Sequence, residues 1–493
     1  MQRRKKFMKP VFLLAGILML GTALNPVFAW SGKKVDSTSK TIGLESVQNG
    51  DRVIRTAVPE RPSGQKHVLG LRVPKLDTVR VGFIGLGMRG PGAVERFTHI
   101  PGVKIVALCD KHAERVEKSQ KIVEKAGLPA AASYSGSEEA WKELCQRKDI
   151  DLVYIATDWQ HHAEMMIYAM EQGKHVACEV PAAMTLEEIW KVVDTAERTQ
   201  KHCMMLENCV YDFFELTTLN MARQGLFGEI LHVEGGYLHN LEDFWDYYEG
   251  DWRMSYNKSH RGDVYPTHGF GPACQLLDIH RGDRLDYLVS MDTKAVNIPE
   301  YLIEKRGMEA DSAYDFRNGE HTMTMVRTEK EKTILIRHDV SSPRPYSRCY
   351  EVTGTKGFAQ KYPQEGYAFR SDSPLDAAAV PDHENLSGHG FVSEETKRAL
   401  MDTYKHPIHK ELEELARQVG GHGGMDFIMD YRLVYCLRNG LPLDMDVYDL
   451  AEWCCLVPLS EISLDNGSAP VAIPDFTRGH WNDVQGYRHA FAK

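Results

Sequence analysis

One stretch constrains this chain more than any other: VRVGFIGLGMRGPGAVERFTHIPGVKIVALCD, from Val79 to Asp110. A short apolar run, Val79 to Ile84, predicts a strand buried on both faces of a parallel sheet. Gly85, Gly87 and Gly90 follow as G-x-G-x-x-G, then a helix-compatible segment, then a second apolar run from Val103 to Cys109 that ends at Asp110. Gly85 permits a tight turn, Gly87 lets the backbone approach a pyrophosphate, and Gly90 lets the helix pack close to the strand. The helix N-terminus then offers free N–H groups to phosphate oxygens. Asp110 lies 20 residues beyond Gly90. A carboxylate there accepts hydrogen bonds from an adenosine ribose and repels a 2′-phosphate, which favours NAD over NADP. Arg89, in the same turn, is a cation expected to soften that preference.

The β-α alternation continues to about residue 208. Lys111 to Ala126 is amphipathic, and Leu186 to Gln200 is helical with Thr185 as its N-cap. Apolar strands are expected at Asp151 to Thr157, His175 to Glu179 and Cys203 to Asn208, with a helix over His162 to Gln172. The expected fold class is α/β: an N-terminal Rossmann doubly wound parallel sheet followed by an α+β domain with an open mixed sheet. Ligands of such sheets bind beyond the strand C-termini, which gathers Thr157, Asp158, Trp159, His162, Glu179, Val180 and Asn208 at one crevice. After Tyr211, strand-like segments dominate: Glu229 to Leu238, Tyr287 to Lys294, Thr322 to Thr328, Thr333 to Asp339 and Tyr350 to Thr353. Buried helices are expected over 424–439 and 447–463, with the sheet closing over the nucleotide.

The start reads as an export signal over residues 1–29. Arg3, Arg4, Lys5, Lys6 and Lys9 precede an apolar run from Val11 to Leu24, and Val27-Phe28-Ala29 resembles a cleavage site, with the cut after Ala29. That run of 14 residues is short for a membrane span, so no stable span is expected. The Arg pair ahead of Phe7-Met8-Lys9 resembles a variant twin-arginine start, a route that exports folded proteins, and placement is expected in the periplasm. Residues 30–76 are a polar arm or linker. The division is then 1–29, 30–76, 77–208 for the nucleotide domain and 209–493 for the substrate domain. Removing the signal takes the net charge from −10 to about −15, so nucleic acid is excluded as a partner. The 10 cysteines contain no C-x-x-C pair and are expected as buried apolar residues rather than a disulfide framework. Neither H-E-x-x-H nor another metal-ligand spacing is present, so no metal is expected.

Several segments together resemble glycoside hydrolase family 109, the NAD-dependent α-N-acetylgalactosaminidases, within the glucose-fructose oxidoreductase and inositol dehydrogenase superfamily. They are GLGMRG (85–90), Trp159 to His162, EVP (179–181), EN (207–208), YPTHGFGP (265–272), SPRPYSR (342–348) and GGHGGMDF (420–427). YPTH and GGHGGMD are long and specific where G-x-G-x-x-G is not. The resemblance implies that Met88, Arg89, Trp159, His162, Glu179, Val180 and Asn208 hold NAD beside the glycines and Asp110. It implies Tyr237, Arg253, Tyr265, His268 and Tyr346 as sugar contacts, and homo-oligomers in solution. Trp159 and His162 by themselves read as surface helix residues.

The implied reaction is removal of a terminal α-linked N-acetylgalactosamine without net redox change: oxidation at sugar C3, elimination of the glycosidic oxygen, water addition and reduction by a tightly held, recycled NAD. The ordinary pair of glycosidase carboxylates is not needed for such chemistry. His268 is the candidate acid/base, in a Gly/Pro-rich turn, and Tyr265 a second proton carrier if a cation lowers its pKa. His422, flanked by glycines, is a further candidate for the same pocket; Trp245 and Trp252 read as core. Most dehydrogenases of the superfamily carry Glu-Lys-Pro where this chain has Glu179-Val180-Pro181, and valine cannot move a proton. A sugar or inositol dehydrogenase, and a non-catalytic sugar-binding protein with structural NAD, stay open as alternatives.

Overall fold

The apolar run Val79–Ile84 forms the central strand of the first sheet, β1, buried along almost its whole length. The computed structural model describes residues 53–487, apart from 378–379, 382 and 384–385. The expected export signal and the first part of the polar arm lie outside the described residues. Strand β1 pairs in parallel with β2 (Val103–Cys109) and β4 (Leu152–Ile155). With β3 (Ala132–Tyr134), β5 (His175–Cys178) and β6 (Cys203–Met205) the order is β3-β2-β1-β4-β5-β6. That order reverses direction between β1 and β4, and in a doubly wound sheet the crevice at this switch point takes the ligand.

The connecting helices are α1 (Gly90–Thr98), α2 (Ala113–Lys125), α3 (Ala140–Gln146), α4 (Trp159–Glu171) and α5 (Leu186–Thr199). Thr185 caps α5 in a reciprocal box with Glu188, as its place before an apolar-periodic run predicts. The expected strands and helices of this half all form, with ends that differ by at most three residues; α4 begins at Trp159, three residues before the expected His162. The short β3 and α3 have too few residues to show a period.

Helix α6 (Phe213–Arg223) leads to an eight-stranded sheet of order β13-β12-β11-β7-β10-β9-β8-β14. Its strands are β7 (Ile230–Leu238), β8 (Leu285–Asp292), β9 (Thr322–Thr328), β10 (Thr333–Asp339), β11 (Glu351–Gly354), β12 (Gly357–Gln360), β13 (Gly366–Phe369) and β14 (Val471–Ala472). The sheet is mixed because β7 and β10 run parallel while the other neighbours are antiparallel. Residues of β9 alternate between buried and exposed, the signature of a sheet with one covered face. The expected helix over 447–463 is two helices, Val447–Cys454 and Leu456–Asp465. All ten cysteines are free and buried, as expected of apolar use. Among the described residues no helix is long and apolar enough to cross a membrane.

The described part of the arm is tied down by charge. Arg61 and Arg478 both reach the buried Glu197 of α5, at 2.9 and 3.1 Å, and Tyr448 donates to the same carboxylate at 2.6 Å.

Helix α7 (Trp252–Ser259) and helix α8 (Thr267–Leu276) follow β7. The segment THGFGP is therefore not a turn, as its composition suggested, but the first half of α8. Its glycines serve close approach: a Cβ on Gly269 would sit 2.0 Å from the backbone N of Gly236, and one on Gly235 would sit 2.5 Å from the Gly269 carbonyl. Pro272 inside the helix removes the N–H that would bond the His268 carbonyl. Gly269→Ala is expected to cost about 2–4 kcal/mol of stability by overpacking two backbones. Gly390→Ala, where an added Cβ meets nothing within 4 Å, is expected to be near neutral. Chemical unfolding of the two variants beside the parent checks this.

Candidate active site

The nucleotide turn is built as its glycines require. A Cβ on Gly85 would lie 2.6 Å from the Ala156 carbonyl, and one on Gly90 would lie 2.0 Å from the Gly85 oxygen. A Cβ on Gly87 would instead meet nothing nearer than the Arg115 guanidinium at 3.6 Å, so this backbone faces open space of the kind a pyrophosphate needs. The first turn of α1 has no side-chain cap, which leaves its N–H groups available to an anion. Asp110 accepts from the Leu86 backbone N–H at 2.7 Å and from that of His112 at 2.9 Å, which fixes its carboxylate beside the turn. These features fit NAD.

A cavity of about 380 Å³ opens at this switch point. Gly85, Gly87, Met88, Arg89, Asp110, Trp159, His162, Glu179 and Val180 line it from the first sheet. Tyr247, Tyr248, Glu249, Trp252, Arg253 and Tyr265 line it from the other side. These come from the loop after β7, from α7 and from the approach to α8. The covering is thus loop and helix, and not the sheet that was expected to close over the nucleotide. Gly90, Asn208, Tyr237, His268 and Tyr346 do not line the cavity itself.

Arg89 does not face the position expected to soften the preference for NAD. Its Nε lies 3.3 Å from Glu179, its Nη2 lies 3.1 Å from Asp426, and its Nη1 meets the His422 ring at 3.3 Å. The Glu179 carboxylate, with Asp426 behind it, holds the half-buried guanidinium firmly charged. Asn208 is buried and gives its amide to Asp426 at 2.5 Å, so it supports the turn from below. His422 pairs with Asp426 at 3.0 Å and joins this cluster rather than His268. Asp426 was missed by sequence reasoning, although it stands in GGHGGMDF.

Trp159 and His162 are buried, not surface residues. The His162 ring spans two carbonyls, Pro181 O at 2.8 Å and Thr157 O at 3.0 Å, and burial lowers its pKa. It braces the ends of β4 and β5 against each other. Trp159 donates to the Val180 carbonyl at 3.2 Å and packs edge-on against Trp252 at 4.8 Å. Trp252 lines the cavity half-buried, whereas Trp245 is core.

Beside the cavity an aromatic row runs outward. Tyr265 lies 5.8 Å from Trp159 and 4.6 Å from Tyr237, and Tyr346 follows at 6.4 Å. Arg253 lies over the Tyr265 ring at 4.8 Å and the Trp159 ring at 5.0 Å. Its Nη1 donates to the Tyr248 hydroxyl at 2.8 Å, while its Nε and Nη2 are buried with no hydrogen-bond partner among the described residues. Buried donors of this kind are costly unless a ligand supplies acceptors.

His268 stands in the first turn of α8. Its Nδ1 lies 2.8 Å from the carboxylate of Glu207, which is fully buried just past β6. Its Nε2 is 3.5 Å from the Tyr265 hydroxyl. Burial pushes the Glu207 carboxyl up, but the adjacent imidazole and hydrogen bonds bring it below its ordinary value. Glu207 therefore stays ionised and turns the His268 Nε2 toward Tyr265. Burial raises the Tyr265 phenol well above its usual value, and Arg253 opposes this without overcoming it. The condition under which Tyr265 would carry a proton both ways, a phenol lowered by a cation, is therefore not met, and Tyr265 is a donor at neutral pH. Glu207, Cys209 and His268 bring one donor atom each within 4.8 Å of one another. Burial holds the Cys209 thiol protonated, so this trio is a poor metal site.

Comparison with known proteins agrees with this geometry. Residues 79–207 match the profile described as "Oxidoreductase family, NAD-binding Rossmann fold", and residues 211–483 match "Glycosyl hydrolase 109, C-terminal domain". Glycosyl hydrolase family 109 protein 1 of Bacteroides fragilis is 71% identical over 440 residues, 89% of this chain and 94% of that protein. The family 109 protein of Porphyromonas gingivalis is 68% identical over 457 residues, 93% of this chain and 97% of that one. Among solved structures, a levoglucosan dehydrogenase in complex with NADH and levoglucosan superposes with a TM-score of 0.61 at 19% identity, over 81% of this chain and 100% of that one. An apo scyllo-inositol dehydrogenase from Lactobacillus casei gives 0.54 at 14% identity, over 81% of this chain and 99% of its own. With a nucleotide cavity of this form and relatives at this identity over nearly its whole length, the chain belongs to glycosyl hydrolase family 109.

Proposed function

We propose that the chain hydrolyses terminal α-linked N-acetylgalactosamine, using a tightly held NAD that is recycled in each turnover. The observation that carries the reading is the Glu207–His268–Tyr265 series at the edge of the cavity, next to the unpartnered donors of Arg253. NAD held by the turn and Asp110 would supply reversible hydride exchange at sugar C3, with no net consumption.

The chain's own residues have separate tasks. Arg253 would offer its free Nε and Nη2 to an acetamido carbonyl or a sugar hydroxyl. Tyr237, Tyr265 and Tyr346 would supply ring faces and hydroxyls along the row that leads outward. Glu207 keeps a proton on the His268 Nδ1, so Nε2 is the atom free to take the proton from sugar C2, which a C3 ketone acidifies. Tyr265, held protonated, would donate to the glycosidic oxygen as it leaves C1. Val180 presents only an apolar surface to the cavity where the wider superfamily has a lysine. The proton that the C3 hydroxyl loses as hydride goes to NAD would therefore have to leave through another group or to water.

Export belongs to the same proposal. The basic start and apolar run support a twin-arginine route to the periplasm, and ten buried free cysteines need no oxidising step after folding. The family resemblance supports a homo-oligomer in solution.

An aryl α-N-acetylgalactosaminide in D2O, with no NAD added, is expected to release sugar carrying deuterium at C2, read by mass spectrometry. NADH that accumulates only when NAD is supplied, with no sugar released, would move the assignment to a dehydrogenase. Glu207→Gln is expected to lower kcat by about 10²–10⁴ with KM changed little, because the imidazole loses the partner that fixes its tautomer. Steady-state kinetics, with bound NAD and Tm measured on the same preparation, separate this from loss of the fold.

A further inference from the structure

Three side chains that follow Asp110 do not suit an NAD site on their own. Lys111 and Arg115 are cations and His112 is a further hydrogen-bonding group, beside the position where an adenosine ribose would meet Asp110. Such a group is what a 2′-phosphate requires. Beyond the His112 backbone N–H, the Asp110 carboxylate approaches the Arg115 side chain at 3.6 Å. Glu138 lies 3.6 Å from Lys111, and Glu114 lies 3.8 Å from His112.

The dominant partner of all three side chains comes from the other side of the cavity. Glu249, in the loop after β7, lies 2.6 Å from Arg115 Nη2, 2.8 Å from His112 Nε2 and 3.2 Å from Lys111 Nζ. The hydrogen bond from His112, with those from Arg115 and Lys111, holds its carboxyl down at about 2 against the opposing cost of burial. The backbone that projects it is left-handed at Gly250 and Asp251, with φ of 67° and 53°. Arg306 holds the same loop from behind, reaching Asp251 at 2.6 Å and Asp246 at 2.7 Å. Glu249, Lys111 and Arg115 all line the cavity.

We infer that Glu249 determines cofactor identity and retention: its carboxylate occupies the cations that would otherwise receive a 2′-phosphate, and the same contacts latch the aromatic loop across the cavity. One carboxylate thus does two things. It cancels the local positive field, so a phosphate on the ribose would meet Asp110 and Glu249 together. It also links the two walls of the cavity, so release of a bound dinucleotide requires these contacts to open. A single exposed pair is worth little, but two cations and an imidazole on one carboxylate form a network whose loss is felt as a unit. The inference rests on the reading that the cavity takes NAD, and not on the glycosidase reaction.

The test uses the full folded chain, stripped of nucleotide and titrated separately with NADH and NADPH. Affinity is read from nicotinamide fluorescence, and dissociation is followed after rapid dilution. Glu249→Gln is expected to release NADH about tenfold faster and to shift the NADPH-to-NADH affinity ratio about tenfold toward NADPH. Arg115→Gln, which breaks the latch from the other side, is expected to speed NADH release without any gain of NADPH. Release from the parent is expected to quicken with salt, and release from Glu249→Gln to depend on it far less. Unchanged release and unchanged preference in Glu249→Gln would overturn the inference while leaving NAD binding intact. A parent chain that binds neither nucleotide would overturn both readings together.

Discussion

The approach of α8 to β7 is the contact on which the site depends. Gly269 meets Gly235 and Gly236 backbone to backbone, at separations that no side chain could share. That contact sets the start of α8 at the end of β7, which puts His268 beside Tyr237 at 5.5 Å and within reach of Glu207. Glu207 comes from the first sheet and His268 from the second fold unit, so the pair is also a joint between them. A fully buried carboxylate is costly without a partner. The dyad therefore registers the two halves as well as orienting an imidazole.

Charge is divided along the cavity by the same logic. Arg89 is committed to Glu179 and Asp426, and Arg96 behind it to Asp430 at 2.6 Å. These arginines stiffen the nucleotide turn and have little left to give a ligand. Arg253, in contrast, is buried among aromatic rings with one donor used and two idle. The turn is thus satisfied before any ligand arrives, while the far end is not. A neutral sugar with carbonyl and hydroxyl acceptors answers that deficit, and a second apolar group does not.

Much of this was legible from sequence because it rests on local pattern. The strand-turn-helix around Gly85, the capping box at Thr185 and the alternation in β9 each follow from neighbouring residues. Other features depend on partners far along the chain. Glu207 and Asp426 stand in segments that resemble the family, yet nothing nearby says that one meets His268 or that the other meets Arg89 and Asn208. THGFGP was read as a turn because glycine and proline usually mark one; here glycine serves helix-on-sheet contact. Without the family resemblance His162 reads as exposed, because a histidine pair at the start of a helix gives no sign that one ring will sit between two carbonyls. Glu249 carries no signal of its own in the sequence. Its meaning comes only from Lys111, His112 and Arg115, which the fold sets opposite it.

The cavity walls and the proposed chemistry bear on each other. An enzyme that consumes NAD must let it out in every turnover, so a cover held by several ion pairs would tax its rate. A reaction that returns the hydride has no such need. There, loss of the cofactor is the failure to be avoided. Glu249, which ties the cover to the nucleotide domain, answers that need. It removes a route for cofactor exchange, which the proposed redox-neutral reaction does not use.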